Sequence, residues 1–151
     1  KSIIMIHFNK ILCPFDLSDH AEESIRYAIK LADMDTEIVL LNVIQLPYII
    51  DPNGFTYYDL KVDELRKDFE KAMLDKEEAL KSKFPNNKFS HTIEVGSNPA
   101  DVVLNYQKSG NFDLIVIGSH GRKGLSRLLM GSVAESIMRD ADCPVLIIKS
   151  K

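Results

Sequence analysis

Short apolar runs rich in Ile, Val and Leu alternate along this chain with longer amphipathic stretches, and few folds accept that pattern. A run that is apolar at successive positions has to be buried on both faces, as the strands of a parallel sheet are, and parallel neighbours need a helical crossover between them. The chain therefore reads as one α/β domain over residues 1–151, an open five-stranded parallel sheet with helices on both faces, for which the expected strand order is 3-2-1-4-5. The expected strands are Lys10–Phe15, Glu37–Ile44, Phe89–Val95, Phe112–Gly118 and Pro144–Lys149.

Cap signals bound the helices. Ser18 or Asp19 precedes the first, with Glu22 three residues after Asp19 in the manner of a capping box, and Ala21, Ile25, Ala28 and Ala32 form its inward stripe. The second, Asp59 to Lys83, places Val62, Leu65, Phe69, Ala72, Met73, Ala79 and Leu80 on one side and charges on a solvent side. Asn98 caps a third that starts with Pro99 and stops at Gly110. A fourth begins near Gly131-Ser132 and ends around Asp140, with Met130 and Met138 joining Leu129 and Ile137 in a core stripe. Gln45 to Tyr58, with Pro47, Pro52, Gly54, Tyr48 and Phe55, reads as an irregular surface segment longer than usual α/β connections.

Composition narrows the function. A formal net charge of −3 offers no basic excess for nucleic acid or an acidic membrane face, and no run approaches the ~18 apolar residues of a membrane span. The apolar stretch Ile3 to Phe8 is shorter than a signal-peptide core. Cys13 and Cys143, each beside a proline, read as buried reduced thiols, and the expected compartment is the cytoplasm.

The informative stretch runs from Gly118 to Val133, directly after the fourth strand, and holds four of the seven glycines: Gly118, Gly121, Gly124 and Gly131. Ligands of open parallel sheets bind at the carboxyl ends of the strands, where the strand order reverses. Gly118 and Gly121 are free to take left-handed angles and let an anion approach, and Gly131, Ser132 and Val133 are expected to present free N–H groups at a helix start. The P-loop pattern, the dinucleotide fingerprint and the G-x-S-x-G elbow are all absent.

What is present is G-x2-G-x9-G-S, from Gly118 through Gly121 to Gly131-Ser132, together with Ile11-Leu-Cys-Pro-Phe-Asp16-Leu-Ser18, Leu40-Leu-Asn-Val43 and Cys143-Pro-Val-Leu-Ile-Ile-Lys149. This set resembles the universal stress protein family over essentially the whole chain. The resemblance implies a Rossmann-like adenine nucleotide-binding fold, a dimer, and ATP held without covalent chemistry. It matches Asp16 to the ribose, Pro14 and Phe15 to the adenine wall and Val43 to the adenine edge. It matches Gly118, His120, Gly121, Gly131, Ser132 and Val133 to the triphosphate cradle, with Ile117 beneath it. The chain departs from common family usage at Phe15 and Asn42.

Asp16 doubles as a candidate cap of the first helix. His120 lacks a second histidine at H-x-G-H spacing and reads as a phosphate-side donor rather than a base. Arg122 is a candidate phosphate contact within the Arg122, Lys123, Arg127 cluster. No protein metal cage is indicated; magnesium would enter with ATP. The last strand, Val145 to Lys149, lies at an edge and suits antiparallel pairing with a second copy. These features predict a nucleotide-dependent regulatory protein of the stress response, in which occupancy shifts segments 45–58 and 119–130. The alternatives are a slow ATPase or a nucleotidyl or phosphoryl transferase using the same pocket, and a nucleotide-free interaction module.

Overall fold

The structure, a computed structural model, describes residues 3–46, 49–50, 56–57, 62–120 and 130–149. Its elements in chain order are β1 (Lys10–Pro14), α1 (Asp19–Leu31), β2 (Glu37–Gln45), β3 (Ile49–Ile50), β4 (Thr56–Tyr57), α2 (Val62–Lys83), β5 (Lys88–Gly96), α3 (Pro99–Gly110), β6 (Leu114–Gly118), α4 (Ser132–Asp140) and β7 (Val145–Ile148). The main sheet runs β5-β2-β1-β6-β7 with every pairing parallel, which is 3-2-1-4-5 when its own strands are counted. The order reverses between β1 and β6.

The doubly covered sheet is visible residue by residue. Ile11, Cys13, Ile38, Leu40, Leu114 and Val116 point to the face carrying α1 and α2, where Ile25, Ala28, Met73 and Leu80 complete one core. Leu12, Val39, Leu41, Ile115 and Ile117 point the other way, against Val103 and Leu104 of α3 and Ile137 of α4. Alternation along each strand therefore feeds two cores, each fully buried Ile or Leu contributing about 1.5–3 kcal/mol.

Several local expectations are corrected. The cap of α1 is Ser18, whose side chain accepts from the Ala21 N–H, so Asp19 is already helical and no box forms with Glu22; Glu22 instead pairs with Lys76 of α2. Ser24 joins the buried stripe of α1, and Ala32, at its C-cap, packs partly buried against the same core. Gly110 is the last helical residue of α3, and the left-handed turn falls on Asn111 at φ 54°. Leu65 and Ala79 of α2 are exposed, while the charged Glu77 is buried. Met138 is 50% exposed, outside the core stripe that Ile137 enters. Within Gln45 to Tyr58 the chain forms a small antiparallel ribbon, Ile49 opposite Tyr57 and Ile50 opposite Thr56; Tyr48 and Phe55 lie outside the described residues.

Candidate functional site

The carboxyl ends of the strands open into a cleft of about 550 Å³, within the usual range for small-ligand sites. Pro14, Phe15 and Asp16 reach it because β1 ends there. The Phe15 N–H carries the sheet one residue further by donating to the Leu41 carbonyl at 2.8 Å, and the Phe15 carbonyl accepts from Asn42 Nδ2 at 3.0 Å. Pinned on both sides, the chain turns sharply at Leu17, which takes the left-handed φ of 64° that a branched side chain rarely adopts. That turn leaves Asp16 facing the start of α1: its Oδ1 accepts from both the N–H and the hydroxyl of Ser18. Asp16 thus braces the residue that caps α1 and lines the cleft at the same time.

The opposite wall comes from β6 and α4. After Gly118, the Ser119 N–H donates to the Ile148 carbonyl at 2.8 Å, and the buried Ser119 hydroxyl is 2.9 Å from His120 Nδ1. The Gly131 N–H donates to the Ser119 carbonyl at 2.7 Å. One expected anion donor is therefore already used. In α4 the helical ladder starts with the Glu135 N–H on the Gly131 carbonyl, and Gly131 makes no side-chain cap. The N–H groups of Ser132, Val133 and Ala134 consequently have no intrahelical acceptor, and all three residues line the cleft. Neither Gly118 nor Gly131 takes a left-handed angle; glycine matters at 131 for closeness, because a Cβ there would sit 3.2 Å from the Ser119 oxygen.

Pro14, Phe15, Asp16, Val43, Ile117, Gly118, His120, Gly131, Ser132 and Val133 all line this one cleft. Gly121, Arg122, Lys123 and Arg127 lie outside the described residues, as does most of segment 119–130. The cleft also draws on residues that motif reasoning passed over: Ser119, Pro99 and Val103 of α3, and Leu65 and Phe69 of α2. Leu65 is 43% exposed despite its place in the apolar stripe. Among the described residues no group of His, Cys, Asp and Glu is arranged to hold a metal ion, and no helix is long and apolar enough to cross a membrane.

A parallel sheet with this order, carrying a glycine-capped helix start opposite an acidic strand end, defines an α/β protein with a small-ligand cleft at its topological switch point. Residues 7–149 match the universal stress protein family, and the chain belongs to it. Universal stress protein MJ0531 of Methanocaldococcus jannaschii is 31% identical over 143 residues, covering 94% of this chain and 82% of its own length. The solved structure of MJ0577, from the same organism, superposes with a TM-score of 0.74 at 27% identity, covering 97% of this chain and 99% of the other. A universal stress protein from Archaeoglobus fulgidus solved in complex with dAMP shares the fold at a TM-score of 0.65 and 19% identity, covering 96% of this chain and 100% of the other.

Proposed function

We propose that this chain is an ATP-binding regulatory protein of the stress response, in which binding rather than chemistry is the output. The observation that carries this reading is the convergence on one cleft of an unpartnered helix start, Ser132 to Ala134, with the Asp16 carboxylate and an apolar wall that includes Val43 and Ile117. The free N–H groups suit phosphate oxygens, Asp16 suits ribose hydroxyls, and the apolar side suits the base. A Cβ at position 131 would stand 3.2 Å from the Ser119 carbonyl oxygen, tighter than an ordinary contact, so glycine suits the close approach of the helix start to the turn after β6. The dAMP complex of the Archaeoglobus fulgidus relative supports an adenine nucleotide as the ligand class. Magnesium would arrive with the phosphates, because Asp16 is the one carboxylate among the described lining residues and already accepts two hydrogen bonds.

The same reading includes a cytoplasmic homodimer. β7 pairs with β6 alone among the described strands, and Val145, Leu146 and Ile147 are only partly buried, so its outer edge suits a second copy paired across a two-fold axis.

Thermal unfolding with and without ATP tests the reading. Ligand at 100 times its dissociation constant adds about 2.7 kcal/mol, a rise of several degrees for a chain of this size. A melting temperature unmoved by millimolar ATP refutes it, and steady-state turnover well above about 1 s⁻¹ replaces the binding protein with an enzyme.

A further inference from the structure

The buried residues of α2 are Met73, Glu77 and Leu80, all in the half of the helix remote from the cleft. Toward the cleft the apolar anchorage is weaker: Phe69 packs half-buried against the core and Leu65 is exposed, and both line the cleft. Two polar contacts hold this end to β5: Arg66 Nη2 donates to the Ile93 carbonyl at 3.4 Å, and Glu70 Oε1 lies 2.8 Å from His91 Nε2. His91 Nδ1 is hydrogen-bonded to Glu77. A neutral imidazole has a single N–H, so serving both carboxylates takes the imidazolium.

We propose that His91 is a positioning residue for the cleft: by clamping Glu70 and Glu77 it holds the near half of α2 on β5, and with it the wall formed by Leu65 and Phe69. The inference rests on the reading of that cleft as a nucleotide site.

Side-chain exposure decides what happens when the proton leaves. His91 is 9% exposed, Glu77 12% and Glu70 55%. One remaining N–H goes to the buried carboxylate, whose Oε2 faces His91 while Lys81 serves Oε1, and the exposed Glu70 is released to water. The release occurs one residue from Phe69. From α2, the charged groups around His91 are Glu70, Glu77 and Lys81, the last bound to Glu77. Its β2 neighbour is the apolar Leu40, and along its own face β5 presents Phe89 and Ile93. Glu37 is engaged by Ser90, Glu94 lies on the other side of the pleat, and Glu22 of α1 pairs with Lys76. Burial by itself lowers the His91 pKa, but the hydrogen bonds to Glu70 and Glu77 and their negative charges outweigh it, so the net value is raised above the ordinary 6.5. The clamp is therefore complete below about 6.5 and is lost as the pH rises through the higher folded value.

The test is calorimetric titration of ATP into the unaltered chain, His91→Gln and Glu70→Gln at about pH 6 and about pH 8.5. Titration of ATP itself, and of other cleft groups, cancels in the ratio between proteins at each pH. The expected result is an affinity for the unaltered chain that falls at least about fivefold more between the two pH values than that of His91→Gln. Glu70→Gln, altered at a largely exposed side chain, keeps the fold, and its affinity, like that of His91→Gln, falls less between the two pH values than that of the unaltered chain. Equal pH ratios in all three proteins overturn the role of His91 and leave the nucleotide site standing. If ATP binds none of them, the cleft reading fails. Amide exchange of residues 62–70, corrected for intrinsic rate, then decides whether the clamp exists: faster exchange at the higher pH in the unaltered chain alone supports it, and no difference overturns it.

Discussion

Gly131 gives its N–H to the carbonyl oxygen of Ser119 at 2.7 Å, tying the start of α4 to the turn that leaves β6. The bond uses one donor of the helix start and fixes that start beside the cleft that Ser132, Val133 and Ala134 line. The absence of a Cβ eases this approach, since that atom would stand 3.2 Å from the same oxygen, tighter than an ordinary contact.

Gly131→Val is expected to separate these two segments and weaken ATP binding by at least about tenfold, or about 1.4 kcal/mol. The φ of −61° is open to any residue, so the melting temperature should move by only about 2–4 °C for each kcal/mol of residual crowding. Calorimetric affinity measured beside thermal unfolding separates the two effects. Undiminished binding would show that the tie does not shape the cradle.

Ser18→Ala removes the cap of α1 and both hydrogen bonds that its hydroxyl shares between Ala21 and Asp16. Stability should fall by about 1 kcal/mol, within the 0.5–2 kcal/mol typical of N-cap loss, read from the urea midpoint at constant slope. Asp16 retains the Ser18 N–H, so ATP affinity should change less than in Asp16→Ala.

The α2–β5 clamp makes stability itself pH-dependent. Burial raises the Glu77 carboxyl, but hydrogen bonds and positive charge from Lys81 and His91 outweigh it and leave it below its ordinary 4.5. Its contribution is present above that value and disappears as the pH falls through the folded one. The His91 contribution is complete below about 6.5 and disappears as the pH rises through its raised folded value. Urea midpoints across this range should peak between the two, and His91→Gln should flatten the alkaline side. A midpoint for the unaltered chain that keeps rising past neutrality would contradict this.

Cys13 is completely buried between α1 and the sheet, which pushes its thiol up to about 12. Cys143 is partly exposed and its thiol is raised as well, by burial first and then by Asp113 and Asp142. Iodoacetamide at mildly alkaline pH should modify Cys143 slowly and leave Cys13 untouched until the chain unfolds. Mass spectrometry of the alkylated peptides checks the order; early labelling of Cys13 would mean that the core opens there.

Strand positions and the doubly covered sheet were legible because Ile11-Leu-Cys13, Ile38-Val-Leu-Leu41 and Leu114-Ile-Val-Ile117 are apolar on successive residues, a pattern that a sheet covered on both sides buries. The cleft position followed, since in such a sheet the carboxyl ends of β1 and β6 must diverge where the order reverses. Gly131 and Ser132 could be placed there from chain position, and Asp16 and Val43 from the family resemblance. Less legible were Leu65, which has the same spacing as its core neighbours yet ends at the cleft, and Glu77, which has the composition of a solvent face yet is buried.

The sequence by itself determined which segments are strands and which glycines leave them, because period and turn chemistry act between near neighbours. The tertiary structure decided which N–H groups remain free and which charges are buried. Those outcomes depend on partners far along the chain: Ser119 for Gly131, and His91 on β5 for Glu70 and Glu77 on α2. Hydrogen bonds of this kind carry no local pattern, since either partner alone is an ordinary surface residue until the fold brings the other against it.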